Sequence, residues 1–396
     1  MRYCGVMGSD KFSEDQFQGW KLVGELRKLL TTIVPEQKKD QGQGGPQRLL
    51  TRDDYLCAFL FAQFNPVIDS MRGMCACSHL PRVCEEVSTR PISLGSFSEA
   101  QAVFGSEALE KLFSHLIRQN PEALGPPLGS RHARLTAIDS TIIRAIPRME
   151  WAEWRHQKTT QRAVRLHLKF HLFDNQPSGA RVTEGRRCER LAFEEMIEPG
   201  EFYVGDRYYG RDYQLLGKLN ESDCGYAIRL MENASQTLLE ELVVEPEDLA
   251  AGVVSDRMVH LGARKCWHHG PVRVVTIEPP GGGETLHIVT NRLDRESHSA
   301  ALIANIYRDR WRIELFFRWL KCIFGRSNQW HWLAESREGV AIQIYTALIA
   351  ALLLARRLGR LPNKREMELL RFYSLGVMDA PELSKMLKQT SRKAKG

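Results

Sequence analysis

The chain has 396 residues, 43% of them apolar and 26% charged, with nine cysteines and a formal net charge of +7. This composition describes an ordinary globular protein long enough for two or three domains. The odd, scattered cysteines argue against a disulfide framework and fit a reducing cytoplasm. A charge of +7 is modest for a nucleic-acid binder, so where the charges sit matters more than their sum. Asp10, Glu14, Asp15 and Lys21 interrupt the first thirty residues, which excludes a basic-then-apolar export signal there.

The first 125 or so residues read as mostly helical. Thr51-Arg-Asp-Asp54 is a capping box ahead of the apolar run Tyr55 to Phe64. Lys38 to Pro46 reads as a flexible loop, Ser96 to Gln101 and Ser106 to Arg118 as helices, and the Pro/Gly-rich stretch Pro121 to Gly129 as a linker. Cys75, Cys77, His79 and Cys84 lack clean zinc spacing and read as core or loop residues.

After the linker the period changes. Arg134 to Ile143 is a strand rich in β-branched residues, with Asp139 inside it. Ala163 to Phe173 alternates between apolar and basic residues, which predicts one buried face, with Arg165, His167, Lys169 and His171 lining the other. Gly179 to Thr183 returns as another strand, and Leu191 to Ile197 is a short helix. Glu201 to Asp206 is a strand closed by a carboxylate, and Asp212 to Leu219 a helix leading to the strand Tyr226 to Leu230. These elements make a mixed α/β sheet flanked by helices. Three basic runs stand beside the acids: Arg155 to Lys169, Arg186 to Arg190, and the segment from Tyr307. Together they point to a polyanionic partner.

Strand candidates at Arg257 to Leu261, Val272 to Ile277 and Leu286 to Thr290 mark a β-rich stretch over 231–297. Its Pro-Pro-Gly-Gly-Gly run has no following Lys-Ser or Lys-Thr and reads as a hairpin turn. Next comes Tyr307-Arg-Asp-Arg310-Trp311-Arg-Ile-Glu314 and onward to Lys321. Wound as one helix at ~100° per residue, it sets Tyr307, Arg310, Glu314 and Lys321 within roughly 60° of each other. Ile306, Ile313, Phe316, Leu320 and Phe324 form an apolar arc beside them. Val340 to Ala355 is short of the ~20 apolar residues that span a bilayer and is broken by Gln343 and Thr346, so a buried core helix is expected. Residues after 358 read as a basic tail.

Asp139 in an apolar strand needs a donor or a metal, and Asp206 sits where α/β sheets place ligands, at the carboxyl end of a strand. With Glu314 from a docked helix, the two could hold a pair of Mg²⁺ ions ~4 Å apart. Here the chain resembles the DDE transposases of bacterial insertion sequences, in the subgroup named for a Tyr-x2-Arg-x3-Glu-x6-Lys signature, the insertion sequence four type. That signature is present at Tyr307, Arg310, Glu314 and Lys321, while Ala137-Ile-Asp-Ser-Thr141 and Val204-Gly-Asp-Arg-Tyr-Tyr-Gly210 are similar to the two Asp motifs. The resemblance covers roughly residues 130 to 357.

The resemblance implies an RNase H-like fold and cut-and-paste DNA transposition. The implied organisation is a helical DNA-binding domain over 1–128, a catalytic core over 129–230 and 298–357 split by the insertion 231–297, and the tail 358–396. It further implies two Mg²⁺ ions, with Mn²⁺ as substitute, on Asp139, Asp206 and Glu314. Tyr307, Arg310, Lys321, Trp311 and Arg207 would contact DNA, and Trp267, the only tryptophan of the insertion, would meet a flipped base. The implied partners are double-stranded terminal repeats and target DNA, bound by a homodimer in the cytoplasm without a membrane. Two alternatives stay open: a domesticated, non-transposing DNA-binding protein, and an RNase H-like nuclease that cuts without joining.

Overall fold

The structure is a computed structural model that describes residues 19–36, 49–65, 67–119, 134–156, 159–263, 266–278, 282–326, 329–358, 363–374 and 377–393. The expected loop at 38–46 and linker at 121–129 lie outside these. The chain divides into two compact units: Met1–Gln119 with Arg144–Glu153 and Arg318–Gly396, and Asn120–Ile143 with Trp154–Phe317.

In the first unit, helices α1 (Gly19–Ile33), α2 (Arg52–Phe64), α3 (Met71–Cys77), α4 (Leu94–Phe104) and α5 (Glu107–Arg118) are joined by α12 (Arg337–Leu358). The α2 start follows from Thr51, whose hydroxyl accepts from the Asp54 amide at 3.1 Å. The Asp54 carboxylate does not complete the reciprocal box and pairs with Arg27 at 2.8 Å instead. Tyr55, Phe59 and Phe97 pack ring against ring at 5.0 to 5.9 Å, and Phe113 meets Tyr345 of α12 at 6.0 Å. By length and composition α12 could cross a membrane, but 89% of its most apolar window is buried in the protein. Its two polar residues are absorbed internally. The Gln343 carboxamide oxygen accepts from the Leu333 amide at 3.0 Å, and the Thr346 hydroxyl donates to the Ile342 carbonyl at 2.7 Å.

The expected tail is regular structure. Helices α13 (Lys364–Ser374) and α14 (Ala380–Lys393) pack through Leu369, Leu383 and Leu387. Each begins with a reciprocal capping box, Asn363 with Glu366 and Asp379 with Glu382. Composition hid them, because the many basic residues read as tail.

The second unit is built on a sheet ordered β2-β3-β1-β5-β6-β11-β10-β8-β7, with β4 paired to β3 and β9 to β8. The strands are β1 (Arg134–Arg144), β2 (Glu153–His156), β3 (Thr159–His171), β4 (Gln176–Glu184), β5 (Glu201–Gly205), β6 (Gly225–Arg229), β7 (Gln236–Glu241), β8 (Val253–Ala263), β9 (Cys266–Trp267), β10 (Val272–Ile277) and β11 (Leu286–Thr290). Between them lie α6 (Glu189–Glu194), α7 (Arg207–Gly210), α8 (Tyr213–Glu221), α9 (Pro246–Ala250) and α10 (Ala300–Asp309); α11 (Trp311–Phe324) follows. β1, β5 and β6 run parallel. The hairpin expected between 277 and 286 pairs β10 with β11 antiparallel. β11 in turn pairs with β6, so the strands of 231–297 continue the central sheet and share its core: Tyr203, Tyr226 and Ile228 pack with Val259, Val274 and Val289.

Two expectations need correction. The basic face of β3 is also buried at its centre: His167 and Lys169 are 3% and 2% exposed. Lys169 pairs with Glu198 at 2.8 Å and with the buried Glu201 at 3.5 Å. His167 lies 3.0 Å from the Thr183 hydroxyl, and burial with Arg165, Arg181 and Arg187 nearby pushes its pKa down to about 3. That imidazole is neutral at physiological pH. The single helix through Tyr307 and Lys321 is two helices. α10 ends at Asp309, and at Arg310 the backbone turns tightly, its amide bonding the Tyr307 carbonyl at 3.1 Å. Of the apolar arc, Ile306, Ile313, Phe316 and Leu320 are all buried on either side of the break, and the Phe324 side chain lies outside what is described.

Candidate active site

The parallel register of β1 and β5 pairs Ala137 with Val204. Two residues further on each strand path, Asp139 within β1 and Asp206 just past the end of β5 come to the same level. Asp139 follows four buried residues of β1, and its side chain is 18% exposed. The Ser140 amide donates to its Oδ1 at 2.7 Å. Asp206 caps α7, accepting from the Tyr208 amide at 2.9 Å.

Burial, and after it the Asp206 charge, push the Asp139 pKa up to about 7; Glu189 adds to this, while the Ser140 amide and Arg310 oppose it.

The two acids border one cavity of about 600 Å³ whose wall also carries Ser140, Glu189, Arg207 and Tyr208. Glu189 was missed in the sequence, where it stands inside a basic run and looks like its counterion. It does pair with Arg165, whose Nη1 also reaches the Ser140 hydroxyl at 3.1 Å. Glu189 nevertheless lines the same cavity as the two aspartates.

Glu314 lies in the first turn of α11 and receives Arg310 Nη2 at 2.7 Å, while Nη1 of the same guanidinium stands 3.7 Å from Asp139 Oδ2. Arg310 therefore bridges the first and third acids. It also sits over the Tyr307 ring, 5.8 Å from the centroid, and Tyr307 itself is 7% exposed. Burial raises the Tyr307 pKa above the ordinary phenol value.

Of the remaining sequence candidates, Arg207 is the one already placed in the cavity wall. Arg207 is 55% exposed and stands 3.8 Å from Glu284. Trp311 is 46% exposed at the start of α11. Lys321 is in the last turn of α11, in the other compact unit. Trp267, opposite Gly262 on the two-residue strand β9, is 53% exposed.

An all-oxygen donor set of aspartate and glutamate suits Mg²⁺ or Mn²⁺ in kind and in charge. Among the described residues no three such groups already lie at ligating spacing.

Gly210 secures the Asp206 turn. A Cβ there would collide with the Arg229 carbonyl oxygen of β6, so only glycine lets α7 lie this close to the sheet. Gly210→Ala is expected to lower stability by about 1–3 kcal/mol through overpacking and to displace Asp206. Urea unfolding checks the first effect, and backbone amide shifts at Asp206 and Tyr208 the second.

Residues 130–353 match the family model described as Transposase DDE domain. The probable transposase for insertion sequence element IS5377 of Geobacillus stearothermophilus is 26% identical over 221 residues, 56% of this chain and 55% of that protein. The chain thus spans about half the length of that relative. The putative transposase y4zB of Sinorhizobium fredii is 26% identical over 291 residues, 73% of this chain and 76% of that protein. Among solved structures, a cryo-EM structure of the piggyBac transposase synaptic complex with hairpin DNA aligns with 96% of this chain and 85% of its own, at 12% identity and a TM-score of 0.43.

Proposed function

The chain belongs to the transposase DDE domain family, and on that premise we propose that it is the transposase of an insertion sequence, cutting and joining DNA at the element's terminal inverted repeats by Mg²⁺-dependent nicking, hairpin formation and strand transfer. The proposal includes an RNase H-like core with 231–297 as its insertion, a DNA-binding role for residues 1–128, the signature subgroup read from Tyr307 to Lys321, and a homodimer on paired ends in the cytoplasm.

The observation that carries it is the level placement of Asp139 and Asp206 by the β1/β5 register, with Glu314 one guanidinium away. Asp139, Asp206 and Glu314 would hold the divalent cations. When bound, these supply Lewis-acid activation of the attacking oxygen, water or a 3′-hydroxyl, and stabilise the leaving oxygen. Arg310, Lys321, Arg207 and the Tyr307 and Trp311 rings would engage phosphates and sugars of the transposon end, and Trp267 a flipped base.

The test uses duplexes carrying the sequences that flank the reading frame. The full chain with Mg²⁺ should nick them to leave a 3′-hydroxyl, and Glu314→Ala should abolish nicking while leaving gel-shift binding largely intact. Nicking by Glu314→Ala at the parent rate would remove Glu314 from the site. Separately, Lys321→Ala and Arg310→Ala should each weaken binding and flatten the slope of log K against log salt by roughly one unit. A slope equal to the parent's would strip both of a phosphate role.

A further inference from the structure

The guanidinium of Arg310 occupies the gap between the carboxylates of Asp139 and Glu314, 3.7 and 2.7 Å away. It holds that gap incompletely. One contact is a charge-assisted hydrogen bond, the other is too long to be one, and Nε is buried with no hydrogen-bond partner. The residue sits where α10 gives way to α11 and the regular helical ladder is already interrupted. A small backbone adjustment there moves the side chain without unwinding a helix. The Tyr307 ring lies against the same guanidinium, 5.8 Å from ring centroid to Cζ.

We propose that Arg310 is a placeholder cation: in the metal-free protein it stands between Asp139 and Glu314, and it must release Glu314 before a divalent cation can take all three carboxylates. This rests on the reading of Asp139, Asp206 and Glu314 as a divalent-cation site. The released guanidinium keeps its planar fork, which matches phosphate oxygens as well as it matches a carboxylate. Metal loading and phosphate capture are then two halves of one exchange, and each favours the other.

The experiment is Mn²⁺ titration by calorimetry of the full chain without DNA, as parent, Arg310→Gln, Arg310→Lys and Asp139→Asn. Removing the competing cation should tighten Mn²⁺ binding roughly tenfold in Arg310→Gln, the size expected from losing one charge-assisted hydrogen bond. Arg310→Lys should fall between it and the parent, and Asp139→Asn should bind more weakly than either. Arg310→Gln at or below parental affinity, with Asp139→Asn weakened, overturns the placeholder and leaves the metal site standing. Equal Mn²⁺ binding by all four proteins removes the metal site and the placeholder with it. Thermal midpoints in EDTA give a second reading. Arg310→Gln should melt below the parent, because its carboxylates have lost their counter-charge, and saturating Mn²⁺ should raise its midpoint more than the parent's. An unchanged midpoint in EDTA also overturns the proposal. Should Arg310→Gln not fold, the Arg310→Lys comparison decides alone.

Discussion

Asp139→Asn is expected to abolish Mg²⁺-dependent nicking, by about 10³-fold or more, and at the same time to stabilise the protein in EDTA at pH 8. The second effect follows from linkage. The Asp139 pKa is about 7 in the folded protein, against an ordinary 3.8. Between those values the folded state keeps a proton that the unfolded chain has lost, so stability falls as pH rises from about 4 to about 7 and the full penalty applies above that. At about 1.4 kcal/mol per pKa unit, and allowing for the carboxylate's partial exposure, the penalty at pH 8 is about 2–4 kcal/mol. Asparagine keeps the acceptor for the Ser140 amide without the charge. Urea midpoints in EDTA should therefore separate parent and variant at pH 8 and converge near pH 4. A gap independent of pH would mean that the burial of this charge has been misjudged.

Arg273→Met should lower stability by about 3–5 kcal/mol, the range for breaking a fully buried ion pair. Arg273 on β10 and Asp256 on β8 are both 0% exposed at their side chains and meet through two hydrogen bonds of 2.8 and 2.7 Å. Removing Arg273 leaves the buried Asp256 carboxylate with the longer contact to Arg295 Nε at 3.4 Å. Arg273 also donates to the His298 carbonyl, just ahead of α10. Nearby, Asp248, 1% exposed, accepts from the Ala301 amide in the first turn of that helix at 2.7 Å and pairs with Arg295. The damage thus reaches the element that carries Tyr307 and leads into Arg310. The double variant Arg273→Met/Asp256→Leu should recover most of the loss, because it removes both charges together. Thermal or urea unfolding of the three variants decides the matter, and Arg273→Met within about 1 kcal/mol of the parent would be incompatible with the pair's burial.

Both aspartates were legible in the sequence because each closes or interrupts a run of β-branched and aromatic residues, and strand runs of that kind survive into the fold as β1 and β5. Their mutual level was not legible, since register is decided by pairing between segments that the sequence lists far apart. The β3 alternation was read correctly as a strand with one buried face, and the burial of the other face at its centre was not read. Periodicity records which residues share a face, and whether Glu198 and Glu201 come round to cover that face is a tertiary matter. The turn at Arg310 has no glycine or proline to announce it. The side chains on either side of it are tied elsewhere: Arg308 to the Ala251 carbonyl, Arg312 to Asp309 at 3.0 Å and to the Leu172 carbonyl at 2.6 Å. Glu189 went unread because a carboxylate among arginines looks paired, and pairing with Arg165 does not stop it lining the cavity.

The unbroken run of hydrogen bonds from β6 through β11, β10 and β8 to β7 means that residues 231–297 are not a detachable cassette. A chain closed directly from β6 to α10 would strip β6 of a neighbour and lose the valines that seal Tyr203 and Tyr226. It would also leave an apolar strand edge open to other molecules. Shortening this protein by trimming that stretch therefore trades a smaller enzyme for an aggregating one, whereas exchanging the loops between its strands leaves the scaffold whole.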